Sequence, residues 1–523
     1  MDITHPLSII LLLLGGSILL PRTGPWLGRP ARVLLTLMLA AVAFFLGLLA
    51  VSKVPLAISL AHWEDLTGTD EAIFLQFTAL TARWMVLVLF VGLAVTLASL
   101  DEPWDGPTDE YITILVGVPA ALLVFGMAGN FLTWLAAWAL LDLIWLFATG
   151  LPGHSRWPWL LGILQGTGMF ALLGGMVLVW QTFRVISFVI PGMPLLAIFL
   201  LTAALVVRMA LYPLHLPAWT HNDVPPRVRA FFPLVNVAAS GLWLMFWVPR
   251  WGAGWLPFSL EPILAVGLAV TGLLAWWKRH PTQRVVFLSG WLGFLVLWAL
   301  WAGRPDVAAH FIWGGALSLA VLALHGGEGR RWEGATLPAM LAALIFLGVP
   351  GGGLVALGDL MAQAWAAGYV GLALAALVGL MGVTVALIQH LADPLPAAHQ
   401  QSRWTGMTLL ALGAWPPFGR FLWLIPPFAA VEPTTPWQWR LGLLALGWAG
   451  GLLLWRLRSW WEAYHVVGRA VATALDLEWG WAVFSRGCAG VAASLRGAAR
   501  VMEGENYGWL LLFLLVVLVL LAG

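Results

Sequence analysis

In the stretch ALVVRMALYPLHLPAW, residues 204–219, an arginine, a histidine and two prolines fall within ten residues inside an otherwise apolar run. An unpaired arginine at membrane depth costs between about 2.5 and about 17 kcal/mol, so Arg208 needs a partner or water. Pro213 and Pro217 each remove a helical hydrogen bond. Unwound backbone at that depth is tolerated only inside protein or beside a water-filled cavity. His215 follows the break and can change charge near neutral pH. Such a set suits the movement of protons or cations across an apolar layer. The other titratable groups inside apolar runs that suit a proton or ion path are Asp142, His310, Asp359 and His390. A second interruption, GVPGGGLVALGD, places Pro350, Gly351, Gly352 and Gly353 just before Asp359.

The elements that must position these groups are membrane helices. Of 523 residues, 61% are hydrophobic and 10% charged, against about 25% charged in a soluble domain. Apolar runs of roughly 20 residues, the length needed to cross a bilayer, recur from end to end. The expected fold is all-α and polytopic, with about 14–16 transmembrane helices. The spans read as about 6–21, 31–51, 78–99, 111–128, 130–149, 158–180, 194–216, 230–249, 260–277, 284–302, 307–325, 336–360, 367–392, 405–430, 436–457 and 507–522. The two interrupted spans lie five apart. Paired breaks point to two repeats and a transport path between them. We expect two inverted five-helix repeats, about 111–249 and 260–392, broken near Pro213 and Pro350. They make a central transmembrane domain over 106–430, preceded by N-terminal helices over 1–105 and followed by C-terminal helices over 431–523. Within the last part, 458–505 is amphipathic, with arginines recurring among Ala, Val, Leu and Trp. It reads as helix lying along the interface.

Arginine and lysine concentrate in the odd-numbered loops, which places those loops in the cytoplasm. The first span reads as retained rather than as a cleaved signal. A net charge of +2 gives no footprint for nucleic acid. Cys488 is alone, which excludes a disulfide framework and a thiolate metal cluster. His221 and Asp223 have too few neighbours for a metal site. No cofactor, metal or catalytic constellation is expected.

The segment RMALYPLHLPAWTHNDVPPRVRAFFPLVNVAASG, from Arg208 to Gly241, resembles the signature of the antiporter-like subunits of respiratory complex I. That domain also occurs in Mrp cation/proton antiporters, membrane-bound hydrogenases and a bicarbonate-uptake complex. Pro213, Leu214, His215, Pro225, Val228, Ala230 and Gly241 fall on its pattern. NFLTWLAAWALLDLIWLF from Asn130, RVVFLSGWLG from Arg284 and HFIWGGALSLAVLALHGG from His310 resemble its fifth, tenth and eleventh helices.

The resemblance implies a polar axis made of a glutamate–lysine pair on the fifth and seventh helices, then lysines on the eleventh and twelfth. Here the glutamate position is Ala139, with Asp142 one turn on and on the same face. The seventh-helix lysine position is Arg208. The eighth-helix histidine falls at Pro233. On the eleventh helix His310 matches, a second histidine falls at Gly314, and the lysine falls at Ser318. On the twelfth, the lysine falls near Leu357, two residues before Asp359, while WPPFGRF at Trp415–Phe421 is a rival match. The chain's two lysines, Lys53 and Lys278, lie outside every span. A buried lysine can release its proton, whereas arginine effectively cannot. The expected function is therefore a membrane subunit of a proton- or cation-translocating complex in the inner (plasma) membrane, with weakened or lost pumping of its own. Its partners would be other membrane subunits and the lipid bilayer. The alternative is a non-transporting scaffold that anchors a partner, as in a bicarbonate-uptake assembly. The Asp142–Arg208 pair either fixes helix packing or belongs to the path.

Overall fold

Apolar runs closed by proline, glycine or a basic residue become helices where hydropathy places them. We describe a computed structural model over residues 3–23, 26–61, 73–100, 108–150, 158–184, 188, 192–214, 226–251, 259–278, 280–325, 336–347, 353–392, 400–421 and 435–457, with scattered positions between 470 and 493. The first three helices are α1 (Pro6–Arg22), α2 (Arg29–Ala50) and α3 (Ala79–Ala98). Proline in the first turn of α1 and α2 suits a position whose N–H has no helical partner. Thr78 and Thr81 cap α3 reciprocally, each hydroxyl accepting from the other's backbone N–H, which satisfies two groups a helix start leaves orphaned.

Between α2 and α3 lies an element that hydropathy does not announce. Strands β1 (Leu56–Ala61) and β2 (Ile73–Phe77) pair antiparallel, with Leu56 opposite Phe77 and Ile58 opposite Leu75. Apart from this hairpin, the described residues bear out the all-α expectation. Both strands are short and half-buried, so they carry too few residues for a periodic signal.

Ten further spans follow in the expected order. The first five comprise α4 (Thr108–Met127), α5 (Phe131–Gly150), α6 (Pro158–Phe183), α7 (Leu195–Arg208), and a segment starting at α8 (Pro226–Arg229) and running through a π-helical turn at Leu234–Ala238 into α9 (Ala239–Trp251). The second five comprise α10 (Glu261–Trp277), α11 (Pro281–Trp301), the composite of α12 (Pro305–His310), a π turn at Phe311–Gly315 and α13 (Ala316–His325), the interrupted pair α14 (Thr336–Leu347) and α15 (Gly353–Ala366), and α16 (Val370–Ala392). Helices α17 (Gln400–Ala414), α18 (Pro416–Phe421) and α19 (Trp437–Arg456) follow. Within the described residues each expected span up to 436–457 contains helix, the seventh only as far as Arg208, and 507–522 lies outside the described residues. Eight of these helices are long and apolar enough to cross a membrane, and five shorter ones are also apolar. The protein is a multi-pass membrane protein.

The core lies around Arg227–Trp251, Pro281–Trp301 and Pro305–His325, each 94% buried within its most apolar stretch, whereas Gly162–Phe183 is 33% buried and Arg29–Lys53 39%. The outer helices expose leucine, valine and phenylalanine, as lipid-facing surfaces do. Helices α10 and α16 cross at glycines. A Cβ on Gly272 would collide with the backbone of Gly379, and one on Gly382 with that of Gly272. Small residues let membrane helices approach at backbone distance.

The chain divides into two compact units, Met1–His465 and Val466–Gly523. In the second, residues 470, 473–475, 483, 486–487, 490 and 493 are helical. The rest of the amphipathic segment is outside the described residues.

Candidate functional site: a buried ion pair and two polar clusters

Asp142 and Arg208 meet. Asp142 projects from α5, one turn after Trp138. Arg208 is the last residue of α7, five residues before the proline that marks the break in the sequence. Past Arg208 the chain leaves helical geometry. Ala210 has φ of +52° and the Tyr212–Pro213 peptide is cis. A left-handed conformation is uncommon for a residue with a Cβ, and it turns the chain away from the axis of α7.

Arg208 Nη1 donates to Asp142 Oδ1 at 2.5 Å, with side chains 2% and 10% exposed respectively. The guanidinium lies 4.7 Å from the centre of the Trp138 ring and 4.9 Å from that of Phe125. Behind these rings Trp134, Phe188, Trp243 and Trp247 form a continuous aromatic shell. The Trp243 indole donates to the Phe125 carbonyl at 3.2 Å, which fixes one of the two faces. Cation–π contact is worth about 2 kcal/mol or more when water is excluded. It holds the cation where a carboxylate satisfies one nitrogen only, since Nε and Nη2 of Arg208 have no hydrogen-bond partner among the described residues.

The lysine positions implied by the resemblance hold buried, non-titrating side chains, Ser318 and Leu357. Asp359 is fully buried but well provided with donors. Arg304 Nη1 reaches its Oδ2 at 2.9 Å and Gln363 at 3.3 Å, while the Thr435 N–H and hydroxyl reach Oδ1 at 3.2 and 2.8 Å. The same Arg304 grips Asp306 with two hydrogen bonds, of 3.1 and 3.0 Å. The hydrogen bond to Asp306, opposed by burial and aided by the one to Asp359, holds the Arg304 guanidinium above its usual range. This network ties the start of α12 to α15 and to the segment that opens α19.

His310 ends α12 against the π turn, buried, with Nε2 unpartnered among the described residues. His390 sits in the last turn of α16, its Nε2 2.9 Å from the Leu322 carbonyl oxygen, and its ring centre is 5.5 Å from that of His325. His215, Pro217, Pro350, Gly351 and Gly352 lie outside the described residues. Gly353 is the first residue of α15. The site residues therefore gather into three groups: Asp142 with Arg208, Asp359 with Arg304 and Asp306, and His390 with His325. Arg304 and His325 were not singled out from sequence. Arg304 carried a signal, as a charge directly before a proline at a span boundary. His325 is the last residue of its span, where a histidine reads as interfacial. No group of His, Cys, Asp and Glu fit to hold a metal is present among the described residues.

No family model and no curated protein sequence matches this chain. Solved structures do. The chain superposes on a chain of the Mrp complex from Dietzia sp. with a TM-score of 0.75 and 18% identity, over 99% of its own length and 62% of the other. It spans less than two thirds of that longer chain. It matches respiratory complex I from Thermus thermophilus with a TM-score of 0.55 and 18% identity over 86% and 96% of the two chains. It matches the membrane-bound sulfane sulfur reductase, an archaeal respiratory membrane complex, with a TM-score of 0.62 and 14% identity over 84% and 99%. The class this defines is one of fold. The chain has the architecture of the antiporter-like membrane subunits, as its sequence pattern suggested.

Proposed function

We propose that this chain is a membrane subunit of a proton- or cation-translocating complex, seated in the inner (plasma) membrane beside other membrane subunits, with weakened or lost pumping of its own. The observation that carries the reading is the buried Asp142–Arg208 pair, set between α5 and the end of an interrupted helix. Its fold-mates come from the Mrp complex and two respiratory complexes. Two inverted five-helix repeats, about 111–249 and 260–392, each with its fourth span interrupted, form the frame of the path. His215, His310, Asp359 and His390 are its remaining titratable groups. Pumping needs charges that switch. Arginine keeps its proton, and Ser318 and Leu357 have none to exchange near neutral pH. The lysine positions and the fully donated Asp359 also favour the second reading, a scaffold that anchors a partner.

Flux and association measurements decide between these. Purified chain in proteoliposomes is expected to leave an imposed pH gradient standing. Arg208→Ala is expected to lower the activity of the complex that co-purifies with the native chain. A gradient that collapses quickly, is preserved by His215→Ala and is indifferent to Arg208→Lys would overturn the loss of pumping and establish a histidine path. A co-purifying assembly of unchanged activity in Arg208→Ala would favour the scaffold.

A further inference from the structure

His325 closes α13 and His390 stands in the last turn of α16, both buried. His390 Nε2 faces the carbonyl oxygen of Leu322 at 2.9 Å. A carbonyl only accepts, so this nitrogen carries a proton and donates it. In the neutral ring Nδ1 is then a bare acceptor. It has no hydrogen-bond partner among the described residues, and neither has either nitrogen of His325. Buried polar atoms left in this state are exceptions that call for a reason. Capping an orphan carbonyl at the end of α13 explains His390 Nε2. It does not explain three further buried nitrogens in two neighbouring rings.

The spacing supplies the reason. The rings make no hydrogen bond to each other as they stand, but their centres are 5.5 Å apart, so reorientation of the side chains brings two nitrogens within about 3.1 Å, inside hydrogen-bond reach. We propose that His325 and His390 form a proton-exchange pair, with His390 Nδ1 the acceptor and His325 the group that delivers to it. In the step, an N–H bond of the His325 imidazolium breaks as one forms at His390 Nδ1. Positive charge passes from one ring to the other and no electrons are exchanged. The carbonyl-rich ends of α13 and α16 favour a positive charge there. The charged groups acting on the pair among the described residues are Arg403 of α17 on His325, and Arg284 of α11 and Arg229 of α8 on His390. These cations oppose positive charge on either ring, and a charge on one ring opposes a charge on the other, so the pair takes up at most one added proton at a time. His325 lies seven residues beyond Ser318 on the same span, so the pair offers a switching charge on a helix that lacks the lysine. The inference deepens the proton-path reading and rests on it for its purpose, while its chemistry is measured without transport.

The full chain in lipid nanodiscs, labelled with ¹⁵N-histidine, is titrated by NMR from about pH 9 to about pH 4. His390 is expected as the Nε2–H tautomer at the alkaline end, gaining a proton at Nδ1 on acidification. His325→Gln should move its midpoint by more than about one pH unit, the mark of coupled sites. His390→Gln keeps a donor for Leu322 but has no base, and should reduce the His325 titration to a single step. A wild-type Nδ1–H tautomer, no protonation down to the acid limit, or a His390 midpoint indifferent to residue 325 would each overturn the pair. The tautomer is read on unaltered protein, so a variant that fails to fold leaves the test standing. Silence in the flux assay does not move these resonances, so the two failures are separable.

Discussion

Arg208 reaches Asp142 at 2.5 Å while Trp138 and Phe125 cover its guanidinium from within 5 Å. The pair unites two helices whose contributing residues are 66 positions apart. Breaking such a pair from one side leaves a lone buried charge, which costs about 3–5 kcal/mol. Asp142→Ala and Arg208→Ala are each expected to lower thermal stability in detergent by that order. The double variant should be less damaged than either. A double variant as unstable as the sum of the singles would contradict the pairing.

Arg208→Lys keeps the charge and discards the flat guanidinium that fits between two rings. A loss of about 0.5–2 kcal/mol is expected from the aromatic contacts. In a cycle with Trp138→Leu, the two substitutions should be non-additive. Unfolding midpoints of the four proteins measure the coupling.

Asp359→Ala removes the acceptor shared by Arg304, Gln363 and both groups of Thr435. The expected cost is about 3–5 kcal/mol, since Arg304 loses a buried carboxylate. Thr435→Val removes one neutral donor to the same carboxylate and should cost about 0.5–1.5 kcal/mol. Equal effects of the two would mean that Asp359 is not the centre of this network.

Gly379→Ala puts a Cβ against the carbonyl oxygen of Leu268 on α10. Backbone cannot swing aside as a side chain can, so the helices must separate. Overpacking of this kind costs about 1–3 kcal/mol. The control is Gly371→Ala on the same helix, where nothing lies within 4 Å; its thermal unfolding should match the parent protein's.

Hydropathy located the helices well because a membrane span must be long, apolar and internally hydrogen-bonded. The ion pair was legible too, since a charge on each of two apolar helices has few ways to be neutralised. Other features were not. The helix carrying Arg208 ends at Arg208 itself, ahead of Pro213, because a left-handed Ala210 has no sequence signature. The hairpin is too short for its alternation to register. Both π turns, Leu234–Ala238 and Phe311–Gly315, add one residue per turn inside helices whose composition is unremarkable. The pairing of Arg304 with Asp359 spans 55 positions, a distance at which no local spacing announces a contact. His325 was hidden because its partner sits on another span.

The small hairpin has a mechanical consequence for the ion pair. Phe74 of β2 accepts from the Gly129 N–H at 2.7 Å and donates to the Thr133 hydroxyl at 2.9 Å, while Asn130 caps the start of α5 through the Thr133 N–H at 2.8 Å. The corner between α4 and α5 is stitched in place on three sides. Asp142 lies 12 residues beyond Asn130, about 18 Å along the helix axis, so its depth in the bilayer is set like a mark on a ruler whose zero is clamped. Sliding α5 as a piston would tear every stitch at once. Arg208 stands at the end of its own helix, and the chain turns aside two residues later. The carboxylate is therefore the datum against which the guanidinium is placed.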